Sequence, residues 1–337
     1  MTDSTAIPRI ALIGAGGIAG AHMRGYTAHA DRIKVVAVVD PVTANAERRA
    51  EEAGGATVYA TLDDLLATAP DSIDAVDICL PHHLHRDAIV KAAEAGKHIL
   101  CEKPLCLTPE EAADVRAAVT SSGVTLMCAH NQLYMPPVAK ARELLHAGEI
   151  GKVYELRTTD SFYNNFDPAN AGWRAKKETS GGGELIDTGY HPTYLLLNLA
   201  ASAPAAVSAM ISSHRLEFMD GEDSAQVLVR FADGAVGHLV TSWAYNPAGC
   251  TERFSAVGEK GSLWSDGKSL WVRQNGAEAV KHEFEDIENF VAEIADWAEV
   301  AAGRKGPVNG HEEGLAVLDV ILAAYTSAAE GRTVSIG

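Results

Sequence analysis

Arg9-Ile10-Ala11-Leu12-Ile13-Gly14-Ala15-Gly16-Gly17-Ile18-Ala19 is the stretch on which the reading of this chain turns. An apolar run, Ile10 to Ile13, ends in a glycine cluster, and a helix is predicted at once from Gly17 to Ala30. A second apolar run, Val35 to Val39, then ends in Asp40. Strand, tight turn, helix, strand and acid in this order form the dinucleotide-binding fingerprint, with Ala in the third small position. Gly14 permits the tight turn, Gly16 lets backbone approach a pyrophosphate, and Ala19 lets the helix pack close on the strand. Gly17 and Ile18 open the helix, whose first N–H groups and partial positive charge suit phosphate. Asp40 stands 21 positions beyond Ala19, where a carboxylate binds both hydroxyls of a ribose and repels a 2′-phosphate. No arginine follows directly, since the next residues are Pro41, Val42 and Thr43. The cofactor predicted is NAD rather than NADP. A glycine turn in another kind of α/β protein shares the first element alone; the strand, helix and spaced acid together favour the nucleotide.

Outward from this stretch, strands and helices keep alternating through residue 130. Strands are predicted at Ile10–Ile13, Val35–Val39, Val58–Ala60, Ala75–Leu80, His98–Cys101 and Thr125–Ala129. Helices are predicted at Gly17–Ala30, Thr43–Ala53, Leu62–Ala67, His85–Ala95 and Pro109–Ser121. Thr108-Pro109-Glu110-Glu111 sets out a cap, an N1 proline and first-turn acids in order. Such alternation demands a parallel sheet, with ligands at the carboxyl ends of its strands. The rhythm then changes. After a helix from Pro136 to His146 come long β-like runs from Val153 to Phe284, separated by Asp233-Gly234, Asp266-Gly267 and Asn275-Gly276 turns. One glycine-led helix, Gly183 to Ala200, is inserted among them, and helices at Ile287–Ala302 and Glu312–Glu330 close the chain. The fold expected is α/β plus α+β. A Rossmann dinucleotide-binding domain spans 1–130, and a substrate-binding domain with a large, mostly antiparallel sheet spans 131–337.

Composition narrows the class. The 337 residues are 47% hydrophobic and carry a formal charge of −17, enough for a large core and about two domains. An acidic chain with only a short basic cluster at Arg174, Lys176 and Lys177 does not favour nucleic acid. The N-terminus lacks a basic region ahead of an apolar one, so no secretion signal is read there. The longest apolar region, Tyr194 to Ile211, holds Asn198, Ser202 and Pro204, and reads as a buried helix leading into a strand rather than a membrane span. Cys79, Cys101, Cys106, Cys128 and Cys250 are odd in number and lack paired zinc spacing; buried free thiols in a cytoplasmic protein are expected.

Three further motifs carry chemistry. Leu80-Pro81-His82-His83-Leu84-His85 ends the fourth strand, Glu102-Lys103-Pro104 ends the fifth, and Gly181-Gly182-Gly183-Glu184-Leu185-Ile186-Asp187-Thr188-Gly189-Tyr190-His191 opens the inserted helix. With the glycine fingerprint they resemble the Gfo/Idh/MocA oxidoreductases, a likeness that covers essentially the whole chain, including Asn309 to Ala324. Two positions depart from the family pattern: Tyr194 stands where an acid often follows the histidine by three residues, and Gln132 stands where Arg often follows Asn131. Both departures bear on the substrate rather than the reaction type.

Read on their own, the residues leave alternatives open. Lys103 at a strand's carboxyl end is placed either as a solvated surface cation or as a stabiliser of an oxyanion. Asp187 and His191, four apart on a helix, share one face and make either a modest surface pair or an acid/base unit near neutral pH. The triple glycine would let backbone approach a ligand. The family likeness implies Lys103 as a catalytic or substrate-orienting lysine, His191 as acid/base, and Asp187 as its neighbour or a substrate ligand. Glu102 is expected to orient Lys103 or touch the nicotinamide ribose, and the Lys103–Pro104 bond is a candidate for cis geometry. Leu80, Pro81 and His85 lie on a loop that the likeness takes past the cofactor, and His85 either caps its helix or contacts the nicotinamide end. A metal on His82, His83, His85 and Cys79 lacks a complete ligand set, so none is expected. His22 and His130 are assigned structural roles. Trp173 and Arg174 belong to a segment that the likeness places near nicotinamide and substrate, with a core position for Trp173 as the alternative. Asn131 and Tyr163 complete the expected substrate contacts; Tyr163, Asn164 and Asn165 suit a neutral polyol.

The resulting expectation is an NAD-dependent oxidoreductase of a sugar, sugar derivative or cyclitol, in the form of a homo-oligomer, dimer or tetramer, for which the second-domain sheet offers a face. Its rivals are a dehydrogenase of a non-sugar cyclic diol, a non-catalytic dinucleotide-binding regulator, and an enzyme that uses tightly held NAD for elimination or hydrolysis.

Overall fold

The computed structural model describes residues 7–249 and 252–336. The chain divides into two compact units, the first made of Met1–Asn131 and Glu288–Leu315, the second of Gln132–Ile287 and Ala316–Gly337.

The first unit alternates β1 (Arg9–Ile13), α1 (Gly17–Ala28), β2 (Lys34–Val39), α2 (Thr43–Glu52), β3 (Thr57–Tyr59), α3 (Leu62–Thr68), β4 (Ala75–Ile78), α4 (His85–Glu94), β5 (His98–Glu102), α5 (Pro109–Ser122) and β6 (Leu126–Ala129). The six strands are parallel in the order β3-β2-β1-β4-β5-β6. The residues of β1, β4 and β6 are almost continuously apolar and buried, as strands covered on both faces require, while the edge strand β3 is largely exposed. This is the Rossmann arrangement, and its order reverses between β1 and β4, where a crevice opens at the strands' carboxyl ends. Thr108 caps α5 as its sequence predicts, its hydroxyl accepting from the Glu111 N–H at 3.2 Å.

The second unit holds α6 (Pro136–His146), β7 (Val153–Ser161), α7 (Lys177–Ser180), α8 (Glu184–Asp187), α9 (Tyr190–Leu199), β8 (Pro204–Ser212), β9 (Ser224–Phe231), β10 (Val236–Ser242), β11 (Phe254–Gly258), β12 (Gly261–Ser265), β13 (Ser269–Gln274) and β14 (Val280–Glu283). The chain ends with α10 (Asn289–Ala301), α11 (His311–Glu330) and β15 (Val334–Ser335). Nine strands pair in the order β14-β13-β12-β11-β7-β10-β9-β8-β15. Their pairings are antiparallel except that β10 runs parallel to β7. Burial alternates along β9, so one face packs and the other meets water, where Met210 and Leu228 are exposed. Helix α9 lies against β7, with the Thr158 hydroxyl donating to the Pro192 carbonyl at 2.9 Å.

Two expectations change. Residues 288–315, read as part of the second domain, belong to the first unit. The reason is packing: α10 lies against α1 so closely that a Cβ on Gly25 would stand 2.6 Å from the Ile294 side chain. The helix expected from Gly183 to Ala200 is two pieces, α8 and α9, joined through Thr188 and Gly189. The Thr188 hydroxyl accepts from the Trp243 indole N–H at 2.8 Å, and a Cβ on Gly189 would meet the Leu185 carbonyl at 2.6 Å. Among the described residues no helix is long and apolar enough to cross a membrane.

Candidate active site

The nucleotide end is built at the β1/β4 reversal. Gly14 has φ +92°, and a Cβ there would stand 2.5 Å from the Cys79 carbonyl, so the turn tolerates only glycine. Gly16 and Gly17 differ: a Cβ on either would meet no atom within 4 Å. Their backbone faces open space. Helix α1 has no side-chain cap at Gly16 and no acid in its first turn, so its leading N–H groups suit an anion. Asp40 Oδ2 accepts from the Ala15 N–H and Oδ1 from the Val42 N–H, each at 2.8 Å. Each oxygen keeps a second lone pair for a ribose hydroxyl. These features fit a dinucleotide. Sequence reasoning passed over Arg48 and Arg49, two basic residues one helix beyond Asp40. They donate to the Ala15 and Gly16 carbonyls at 3.3 and 3.1 Å and brace the loop from outside.

The carboxyl ends of β4 and β5 bring Leu80, Pro81, His85, Glu102 and Lys103 into the same unit. The Lys103–Pro104 bond is cis. Lys103 is half-buried. Its charge, together with burial as the larger cause, holds the His130 pKa down to about 3, so that ring stays neutral. The buried Glu102 accepts the Lys103 backbone N–H on Oε2 at 3.1 Å. His85 lies with Nδ1 2.6 Å from the Pro104 carbonyl and Nε2 2.8 Å from the Leu80 carbonyl. Burial lowers its pKa while those two contacts raise it, and the ring sits between the turns after β4 and β5. Among the described residues, one group of three His, Cys, Asp or Glu side chains has donor atoms within 4.8 Å of one another, and it is His22, Asp77 and Cys79 rather than the loop histidines. Burial and Asp77 push the Cys79 thiol up to about 12, and its sulfur donates to Asp77 Oδ1 at 3.6 Å. Cys79, Cys101, Cys106 and Cys128 are buried and free; Cys250 lies outside the described residues.

In the second unit the first of the three glycines ends a helix and the other two allow close packing. Gly181 closes α7 in the left-handed region, at φ +87°. A Cβ on Gly182 would stand 2.1 Å from the Tyr325 hydroxyl, and one on Gly183 1.9 Å from the Glu222 carbonyl. This tight seam delivers α8, and with it Asp187, which is 7% exposed and accepts from Arg174 Nε at 2.8 Å. The Arg174 guanidinium in turn lies over the Trp173 ring, 4.3 Å from its centre. Trp173 is half-buried rather than core. His191, on the first turn of α9, has Nδ1 2.9 Å from the Tyr194 hydroxyl, which also accepts the Gln132 N–H at 3.1 Å. The two positions at which the sequence departs from the family pattern therefore meet at the Tyr194 hydroxyl, which also lies against this histidine. Asn131, which precedes Gln132 in the chain, is buried. Tyr163 keeps other company: Arg215 lies 4.1 Å over its ring, and its N–H donates to Asn246 Oδ1 at 3.0 Å.

Sequence models of known families match both units: an NAD-binding Rossmann-fold oxidoreductase family over residues 8–130, and a GFO/IDH/MocA C-terminal domain over 138–264. The chain belongs to the Gfo/Idh/MocA oxidoreductase family. Like other members it is an NAD-dependent oxidoreductase. It is 32% identical over 260 residues to a levoglucosan dehydrogenase of Pseudarthrobacter phenanthrenivorans, a match spanning 68% of this chain and 66% of that protein. It is 28% identical over 343 residues to a scyllo-inositol 2-dehydrogenase (NAD(+)) of Bacillus subtilis, spanning 97% and 96% of the two chains. A solved structure of levoglucosan dehydrogenase in complex with NADH and levoglucosan superposes with a TM-score of 0.88 at 26% identity, covering 98% of this chain and 100% of that one.

Proposed function

We propose that this Gfo/Idh/MocA member moves a hydride between nicotinamide and a ring carbinol of a sugar, sugar derivative or cyclitol. The observation that carries the reading is the His191–Tyr194–Gln132 chain of contacts. The Tyr194 oxygen has two lone pairs, one taken by the Gln132 N–H. The same hydroxyl lies 2.9 Å from His191 Nδ1, and we assign the ring the tautomer with its proton on Nδ1, in which Nε2 is basic. In oxidation His191 Nε2 takes the hydroxyl proton, while the Lys103 ammonium balances negative charge on the substrate oxygen. Bound NAD supplies the hydride acceptor, held by the Gly14–Ala19 turn and Asp40, with Leu80, Pro81, His85, Glu102, Trp173 and Arg174 assigned to its nicotinamide half. Asp187, Trp173, Tyr163 and Asn131 are assigned to the substrate. In ketone reduction the same groups act in reverse. The reading extends to a cytoplasmic homo-oligomer, supported by four buried free thiols and by the exposed apolar residues on the open sheet face.

A panel of sugars, anhydrosugars, inositols and cyclic diols, each incubated with NAD and followed by nicotinamide absorbance, tests it. Stoichiometric cofactor reduction with a ring polyol is expected, and His191→Ala should lower kcat/KM ~10²–10⁴-fold with NADH affinity retained. NAD binding without redox change across the panel would return the chain to the regulator class. Near-wild-type turnover by a folded His191→Ala protein would remove the assigned base.

A further inference from the structure

A charged cluster in the Rossmann unit remains unused by this chemistry. His22, on α1, is fully buried, and each of its ring nitrogens faces a carboxylate. Nδ1 lies 2.9 Å from Asp77 Oδ2 and Nε2 lies 3.2 Å from Glu102 Oε1. A neutral imidazole has one N–H, and would leave the second carboxylate against a lone pair. The geometry therefore holds an imidazolium. Burial opposes that charge, but Asp77 more than offsets it and raises the His22 pKa. Asp77, itself fully buried, also accepts from the Tyr26 hydroxyl at 2.9 Å and the Cys79 thiol at 3.6 Å. Glu293 on α10 is the remaining acid near the cluster, fully buried with both oxygens unpartnered, and burial keeps it protonated.

Buried ion triads seldom add net stability, because desolvation offsets the attraction. What such a triad supplies is a fixed carboxylate. Glu102 is that carboxylate: one oxygen takes the His22 proton and the other takes the Lys103 N–H. Burial raises its pKa, yet the His22 bond and the Lys103 charge outweigh it and keep the group ionised.

We propose that His22 is a positioning residue for the reaction, locking Glu102 so that Glu102 in turn fixes the backbone and the charged partner of Lys103. The inference rests on the reading of Lys103 as the oxyanion-stabilising cation. It assigns a functional consequence to two residues 81 positions apart in the chain, His22 and Lys103, which Glu102 links through the His22 ring and the Lys103 backbone N–H.

Two measurements on the full-length NADH-bound protein test it. Long-range ¹H–¹⁵N spectra should show protons on both His22 ring nitrogens, identified by their loss in His22→Gln; a singly protonated ring would overturn the proposal. Kinetics with the ring polyol of highest turnover in the panel then separate positioning from folding. His22→Gln should keep the NADH Kd within about threefold and lower kcat ~10–100-fold, the usual range for loss of a supporting partner. In a Lys103→Ala background the same change should cost less than about twofold, because both act through one group. Full additivity, or wild-type kcat in folded His22→Gln, overturns the positioning role. A near-wild-type Lys103→Ala enzyme would instead sink the reading of Lys103, a distinguishable result. If His22→Gln does not fold, Asp77→Asn serves: it keeps the shape, weakens the imidazolium, and should lower kcat with NADH affinity again retained.

Discussion

Tyr194→Phe isolates the contact on which the proposed proton transfer depends. Tyr194 is 2% exposed, so phenylalanine fills the same volume and only the hydroxyl is lost. That hydroxyl serves His191 Nδ1 at 2.9 Å and the Gln132 N–H at 3.1 Å. Leaving a buried donor unmet costs ~1–3 kcal/mol. A loss of about 2 kcal/mol corresponds to a Tm lower by ~4–8 °C in a unit of this size. The kinetic effect is separate. With the Tyr194 contact to Nδ1 lost, the ring's orientation and tautomer are less firmly set, and kcat should fall ~10–100-fold, as for other lost orienting partners. NADH affinity should hold, since the Asp40 and glycine-turn contacts are untouched. Thermal unfolding, NADH fluorescence titration and steady-state oxidation on one protein preparation read all three. Tyr194→Asp gives the sign: a carboxylate beside imidazole favours its charged form, so the pH limb for oxidation should move upward. Wild-type kcat and Tm in Tyr194→Phe would refute the reasoning, because the hydroxyl would then matter to neither stability nor the base.

Gly16→Val should fold with near-native Tm and weaken NADH at least ~10-fold, whereas Gly183→Ala, whose Cβ would stand 1.9 Å from the Glu222 carbonyl, should lower the yield of folded protein; calorimetry and titration compare them. Asp40→Ala should narrow the preference for NAD over NADP and cost ~1–2 kcal/mol, because Asp40 also holds the Ala15 and Val42 amides; cofactor affinities and Tm check both. Glu184 is fully buried, with Oε1 against the Thr241 hydroxyl and Oε2 unpartnered. The Thr241 hydroxyl has both Glu184 Oε1 and the Asp160 carbonyl as acceptors, and burial outweighs that bond and raises the Glu184 pKa well above its ordinary range. A folded acid with a raised pKa binds its proton where the unfolded chain has lost it. Stability therefore falls as pH rises above the ordinary glutamate range, by up to ~1.4 kcal/mol per pH unit. Glu184→Gln should gain Tm on wild type between pH 5 and pH 8; a constant difference would mean Glu184 is ionised in the fold.

Local signals carried the architecture. The glycine fingerprint, the Thr108 cap and the left-handed glycines at Gly234, Gly267 and Gly276 each act within a few residues, and each is where the sequence places it. What escaped depends on partners distant in the chain. Nothing near Gly182 or Gly183 tells that Tyr325 and Glu222 fill the space beside them. His22 reads as a lone helical histidine until Asp77 and Glu102 arrive, 55 and 80 positions later. The break at Thr188–Gly189 follows from Trp243, half a domain away. Among the residues assigned to the proposed site, Lys103, Asp187 and His191 stand in motifs that the sequence alone displays. Tyr194 was visible only as a departure, and its meaning required the contact with His191.

The seat of α10 on α1 sets a timetable for the making of this protein. The glycine turn, all six parallel strands and the helices between them leave the ribosome as the first 131 residues, but the surface of α1 that carries His22 and Gly25 has no cover until residues 288–301 emerge. At ~5–20 residues per second that is about 10–30 s later. Through that interval the nascent nucleotide-binding unit holds an unpaired apolar seam beside a buried-charge cluster, and its completion awaits the synthesis of nearly the whole second sheet.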